Sequence, residues 1–328
     1  PRPPSSSRQR RGDGVLSRIA ESLYWVGRYV ERADDTARIL DVHVHHILED
    51  PTVDEEARCR MLLGVMGATP PPGEPSAARV VEILGFDPEN ACSIVGALSA
   101  ARENARGARE ILSSEMWECL NATYIALPAR RGRADELGPH GFFRFVKERA
   151  AMMAGLADST MTRDDGWRFL VLGRSLERVD MTARLLLAGF GEASGSEEWV
   201  TTLRSCSAHE AFLRTYRKGV DASLVAEFLL LDRLFPRSAF YALGLAERCL
   251  AELGPSTGRA GQEDEARRFL GRARNDLEFT SLRELLADLR THLRDLQSAC
   301  AEAGNAVARR FFRQSEAVEW HLEHVSRP

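Results

Sequence analysis

Residues 23–40, LYWVGRYVERADDTARIL, lie without a gap over residues 169–186, FLVLGRSLERVDMTARLL, with nine identities. These are Gly27/Gly173, Arg28/Arg174, Glu31/Glu177, Arg32/Arg178, Asp34/Asp180, Thr36/Thr182, Ala37/Ala183, Arg38/Arg184 and Leu40/Leu186. The apolar residues correspond too: Leu23, Val26, Val30 and Ala37 meet Phe169, Leu172, Leu176 and Ala183. Around the first copy, apolar side chains recur at Ile19, Leu23, Val26, Val30, Ala33, Ala37, Leu40 and Val44, the three-and-four spacing of an amphipathic helix. A chain carrying this unit twice must place two equivalent long helices in one core.

The same period runs through most of the remaining sequence, and sustained alternation of the strand type is absent. The expected fold class is therefore all-α, a multi-helix bundle of about ten helices with an internally duplicated Arg/Glu-patterned helix. The first helix is expected over about 16–48, ended by Pro51, and the second over about 53–66. Asp87 followed by Pro88 suggests an N-cap and first turn, with a helix to about Ala105. Further helices are expected over 106–124, 141–156, 167–189, 199–216, 224–231, 237–253, 263–277, 282–301 and 306–324. Breaks fall at 129–138, 189–197 and 254–261, rich in Gly, Pro, Ser or charge. Residues 1–14, rich in Pro, Ser and Arg with no apolar run, read as a disordered tail.

At 100° per residue, Arg28, Glu31 and Arg38 share a face beside Tyr24, and Arg174, Glu177 and Arg184 repeat it. On an exposed flank such pairs contribute only about 0.2–0.5 kcal/mol each and tolerate any charge order. Two copies of one order suggest instead that Glu31 and Glu177 are at least partly buried and held by arginines.

Net charge is -4, so no overall positive field would gather nucleic acid or anionic lipid. No run of about 18 apolar residues suggests a membrane span. A cytoplasmic protein is expected. Cys59, Cys92, Cys119, Cys206, Cys249 and Cys300 are scattered without zinc-type spacing, and no glycine-rich loop is placed to cradle phosphate. No metal and no cofactor is expected. Asp41, His45 and Glu49 share a helical face and could ligate a metal, as could His321 and His324 near the end. Surface histidines are the commoner explanation of both.

The segments ESLYWVGRYVERADDTAR and GRSLERVDMTARLL closely resemble the alpha-E family, a bacterial all-helical group named for a Glu-Arg motif. ARENARGAREILSSEMWECLN at 101–121 and DRLFPRS at 232–238 resemble further family motifs. The resemblance implies one alpha-E helical domain over 15–328, in pseudo-repeat halves of about 15–160 and 161–328. It also implies a partner, a circularly permuted ATP-grasp protein, with transglutaminase-like and Ntn-hydrolase-like neighbours and peptide synthesis or modification as the setting. No ATP-grasp signature is visible, so a stand-alone auxiliary subunit is expected. It would bind ligase or anionic peptide product through Arg28, Glu31, Arg32, Arg38, Arg102, Asn104, Arg106, Arg174, Glu177, Arg178 and Arg184. Two competing readings are an enzyme acting on an amide or acyl bond through Glu31 or Glu177, and a structural oligomer whose Arg/Glu faces mate. Against catalysis, carboxylates neutralised by arginine make poor general bases.

Overall fold

The computed structural model describes residues 6–49, 54–189, 195–254 and 264–312. Among them are fourteen α-helices, one π-helical turn and no strand. Helices α1 (Ser6–Glu49) and α7 (Asp165–Gly189) carry the duplicated segments and pack along each other at the centre. Their middles are buried nearly all round: in α1 the core side includes Leu23, Val26, Ala33, Ala37 and Leu40, while Glu31, Asp34, Asp35 and Thr36 are buried on the other side. The two helices are thus not half-solvated, because the rest of the chain closes over their charged faces.

The remaining helices wrap this pair in a repeated way. α4 (Ile94–Gly107) and α6 (His140–Thr160) pack on α1, bridged by α5 (Ser114–Leu137). In the same manner α11 (Ala239–Leu253) and α14 (Leu289–Phe311) pack on α7, bridged by α12 (Glu265–Phe279). Shorter helices exchange sides, with α2 (Glu55–Met66) reaching α7 and α8 (Ser196–Ser205) reaching α1. α3 (Ala77–Val81), α9 (His209–Tyr216), α10 (Ala222–Leu231) and α13 (Leu282–Ala287) complete the shell.

The crossing of α1 and α7 explains the repeated glycine. A Cβ on Gly27 would stand 2.0 Å from the Leu170 carbonyl oxygen, and one on Gly173 would stand 2.0 Å from that of Tyr24. Backbone meets backbone at this point, and no residue larger than glycine fits either position.

Several boundaries differ from the sequence expectation. The helix after Pro88 starts at Ile94, capped by Ser93, whose Oγ accepts from the Gly96 N–H at 2.9 Å. Asp87 instead closes a turn by accepting from the Glu89 N–H at 3.0 Å. The expected helix over 106–124 is split by turns at 108–113, and the expected break at 129–138 is helical, since α5 continues through Pro128 to Leu137. Leu127 and Ala134 hold that last stretch to the core, helped by Arg131 on Glu82. The expected helix over 199–216 is broken at Ser207, in the left-handed region at φ 51°. Residues 282–311 divide at Asp288 rather than near Ala301. α1 begins at Ser6, inside the stretch read as a tail; residues 1–5 lie outside the described residues, as do His321 and His324.

Candidate functional site

Where α1 crosses α7, the duplicated charges pair between the helices. Arg32 of α1 donates to Glu177 of α7 through Nε at 2.6 Å and a terminal nitrogen at 3.1 Å. Arg178 of α7 returns the contact to Glu31 of α1 at 2.6 and 2.9 Å. Both are bidentate fork contacts, the strongest geometry available to this ion pair. Each arginine also reaches a loop carbonyl, Arg32 that of Ala91 and Arg178 that of Pro236. Asp34–Arg38 and Asp180–Arg184 repeat as i,i+4 pairs at 3.0 and 2.8 Å. The Arg/Glu faces therefore do mate, but within one chain.

The two reached loops are themselves copies. In 87–93, DPENACS, the Ser93 hydroxyl donates to the Asp87 carbonyl at 2.5 Å; in 232–238, DRLFPRS, Ser238 donates to the Asp232 carbonyl at 2.5 Å. Asp87 and Asp232 both accept from the backbone two residues on, and Ser93 and Ser238 both cap the following helix. Cys92 and Arg237 then fall at equivalent places.

That one difference reshapes the charges. The Arg237 guanidinium sits among carboxylates, at 2.6 Å from Asp35, 3.1 Å from Glu31 and in contact with Asp34. Glu31, Asp34 and Asp35 present oxygens within 4.8 Å of one another, a spacing a metal ion could bridge. The guanidinium already occupies that position with its own positive charge. Burial works to raise the Glu31 pKa, but Arg178 and Arg237 outweigh it and bring it down to about 2. Asp35 behaves oppositely: burial, with Glu31 and Asp34 adding, pushes it up to about 8 against the pull of Arg237. Glu177 is likewise lowered, with Arg28 and Arg32 overcoming burial. In α7 the residue equivalent to Asp35 is Met181.

Two clefts flank the crossing in equivalent positions. The wider, about 970 Å3, is lined by Tyr24 and Arg28 of α1, Asp180 and Arg184 of α7, Met61 of α2 and Asn305 of α14. The smaller, about 160 Å3, is lined by Leu170 and Arg174 of α7, Asp34 and Arg38 of α1, and Ala150 and Ala154 of α6. In the wider cleft Arg28 donates to Glu177 at 2.7 Å and to the Tyr24 hydroxyl at 3.2 Å. In the smaller, Arg174 has no ion pair with any described residue, and its Nε is buried without a hydrogen-bond partner.

The structure thus brings together Arg28, Glu31, Arg32, Arg38, Arg174, Glu177, Arg178 and Arg184. It does not bring Arg102, Asn104 and Arg106 to them. Arg102 bonds Asn121 at 2.9 Å and covers the Tyr124 ring at 4.7 Å, Asn104 bonds the Ala100 carbonyl of its own helix, and Arg106 pairs with Glu103. Of the Asp41, His45, Glu49 set, Asp41 holds Lys147 and His140, each at 2.6 Å, and the Glu49 side chain lies outside the described residues. All six cysteines are free thiols. Sequence reasoning missed Arg237, Asp35 and the loop 87–93. The signal was the second, weaker match of Asp and Ser six residues apart, offset from the helix match by one residue.

The model of one family, Alpha-E, described as a predicted alpha-helical domain with a conserved ER motif, matches residues 15–312. Among curated proteins, an uncharacterised protein of Mycobacterium bovis is 26% identical over 316 residues, covering 85% of this chain and 36% of the relative. Uncharacterised proteins of two Mycobacterium tuberculosis strains match at 26% and 25% over the same length. The chain therefore spans little more than a third of these relatives. No solved structure matches it.

Proposed function

The chain belongs to the Alpha-E family, and on that footing we propose that it is a binding subunit rather than a catalyst. It serves a circularly permuted ATP-grasp peptide-ligase system in the cytoplasm, holding the ligase or its anionic peptide product in the wider cleft beside the Arg/Glu seam. The observation that carries this reading is the state of the two motif glutamates. Each is buried and gripped by two arginines, so neither has a proton to give or the basicity to take one near neutral pH. The motif's work is to fix α1 against α7, and what it fixes is the shape of the cleft.

The cleft itself supports a ligand with negative charge and peptide character. Arg28, paired with Glu177, and Arg184, paired with Asp180 of the same wall, are its cations, while the Tyr24 ring, Trp25, Met61 and Leu187 give apolar surface between them. No helix among the described residues is long and apolar enough to cross a membrane.

The test is affinity capture of the tagged protein from its host with and without ATP and magnesium. An ATP-grasp protein recovered in fixed stoichiometry supports the proposal, provided Ala301→Trp, which fills the cleft from an exposed position on α14, reduces recovery severalfold. Recovery of the protein alone, or of the same complex with the tryptophan variant, overturns it.

A further inference from the structure

Arg174 is the odd member of an otherwise satisfied set. Its equivalent, Arg28, has a carboxylate and a phenol; for Arg174 the carboxylate in the equivalent place is Glu31, already taken by Arg178 and Arg237, and the phenol is replaced by Leu170. Arg237 has no counterpart in the other half, where Cys92 stands. With Arg178 and Arg237 on Glu31, Arg174 is left without the carboxylate that its equivalent Arg28 has. Burial and the neighbouring charge of Arg178 hold the Arg174 pKa below its ordinary value, the response of a cation lacking an anion. Leaving a half-buried guanidinium unpaired is costly, and such groups are normally hydrogen-bonded.

We propose that the smaller cleft between α1, α6 and α7 is a carboxylate-binding pocket in which Arg174 grips the acidic group of a peptide ligand. The class of anion follows from the equivalent position, where the same guanidinium holds a carboxylate by Nε at 2.7 Å. The cleft volume of about 160 Å3 admits an acidic side chain or chain terminus. Ala150, Ala151, Met153 and Ala154 of α6 form an apolar wall suited to the methylenes that carry such a group. Glu31 and Asp34 also line the cleft, but Arg178, Arg237 and Arg38 pair with them, so they do not oppose an incoming anion. The pocket deepens the proposed binding role and rests on it only for the peptide nature of the ligand. A failed ligase capture leaves the pocket standing.

The experiment uses the full chain, titrated by calorimetry with two short blocked peptides and with inorganic phosphate. One peptide carries a single glutamate and an amidated end, the other no acidic side chain and a free C-terminal carboxylate. At least one peptide is expected to bind, with Arg174→Met weakening it tenfold or more, and phosphate at least tenfold weaker. Whichever peptide binds tells a side-chain carboxylate from a chain end. A second arm removes the competing arginine: Arg237→Cys/Asp35→Met copies the other half, frees Glu31 for Arg174, and should weaken the same peptide although Arg174 remains. The Nε–H resonance of Arg174 in 15N-arginine-labelled protein provides a readout without mutation and should shift as peptide saturates the site. The inference is overturned if neither peptide binds, if Arg174→Met binds as tightly as the parent, if phosphate competes equally, or if the resonance stays unmoved at saturation.

Discussion

Met181 occupies in α7 the place that Asp35 occupies in α1, and within the two aligned helix segments this is the one position where a charged residue faces an uncharged one. Asp35 comes with Arg237, its partner at 2.6 Å, and Met181 comes with Cys92. Asp35 and Arg237 thus form a contact pair that the other half lacks.

Removing half of that pair should cost more than removing all of it. Arg237→Cys strands Asp35 and weakens the hold on Glu31 and Asp34, an expected loss of about 3–5 kcal/mol. Adding Asp35→Met is expected to recover at least about 2 kcal/mol of that, because it removes a buried acid left without its hydrogen-bond partner. Denaturant melts of both variants check this; equal stability for single and double variants would contradict the pairing.

Glu177→Gln should be more damaging than Glu31→Gln. Among the described residues Glu177 is the sole carboxylate bonded to Arg28 and Arg32, whereas the arginine shared at Glu31 keeps Asp34 and Asp35. Losses of about 3–5 kcal/mol at Glu177 and less at Glu31 are expected. Losses under about 1 kcal/mol at both would return the motif to an ordinary exposed pair.

At the helix crossing, Gly27→Ala and Gly173→Ala should each destabilise by about 3 kcal/mol or more, since the new methyl meets a backbone carbonyl that cannot move without separating α1 from α7. Gly64→Ala, where nothing lies within 4 Å of the added carbon, serves as the control. Thermal melting of the three variants distinguishes close packing from a general intolerance of substitution.

Stability should fall on both sides of a mildly acidic optimum. Burial, reinforced by Arg58 and His46, holds His43 down to about 3 from 6.5, so the unfolded chain binds its proton first and stability drops as pH falls from about 6.5 towards 3. Asp35, raised from 3.8 to about 8, acts in the opposite sense: its contribution is complete below 3.8 and is lost as pH rises through 8. Within each window the slope is about 1.4 kcal/mol per pH unit at most. Asp35→Asn is expected to flatten the alkaline limb and leave the acid limb in place, a difference measurable by chemical denaturation at pH 5 and pH 8.5.

The α1/α7 pairing was legible because helical period and charge order both repeat without a gap, and only burial makes such an order worth keeping. Arg237 was not, because its loop shares only Asp and Ser with 87–93, and a residue found in one copy leaves no repeat to notice. Asp87 misled because a proline follows it, while the true cap, Ser93, sits six residues on after a turn. Breaks at Ser207 and Asp288 lack glycine or proline, and the helix through Pro128 ignores one. In each case tertiary contacts outweigh local preference. Arg102, Asn104 and Arg106 carry suggestive side chains, but no periodicity links them to the seam, and their partners, Asn121, the Ala100 carbonyl and Glu103, lie on α4 and α5.

The exchange of Arg32 to Glu177 for Arg178 to Glu31 has the form of an isologous contact, in which each surface meets its own copy. A chain with only one copy of the segment would hold an arginine and a glutamate that a second molecule alone could satisfy. The present chain is in that sense a homodimer joined end to end. Arg237 against Cys92, Asp35 against Met181 and Tyr24 against Leu170 are differences that two identical subunits could not carry, so covalent joining leaves each half free to differ from the other.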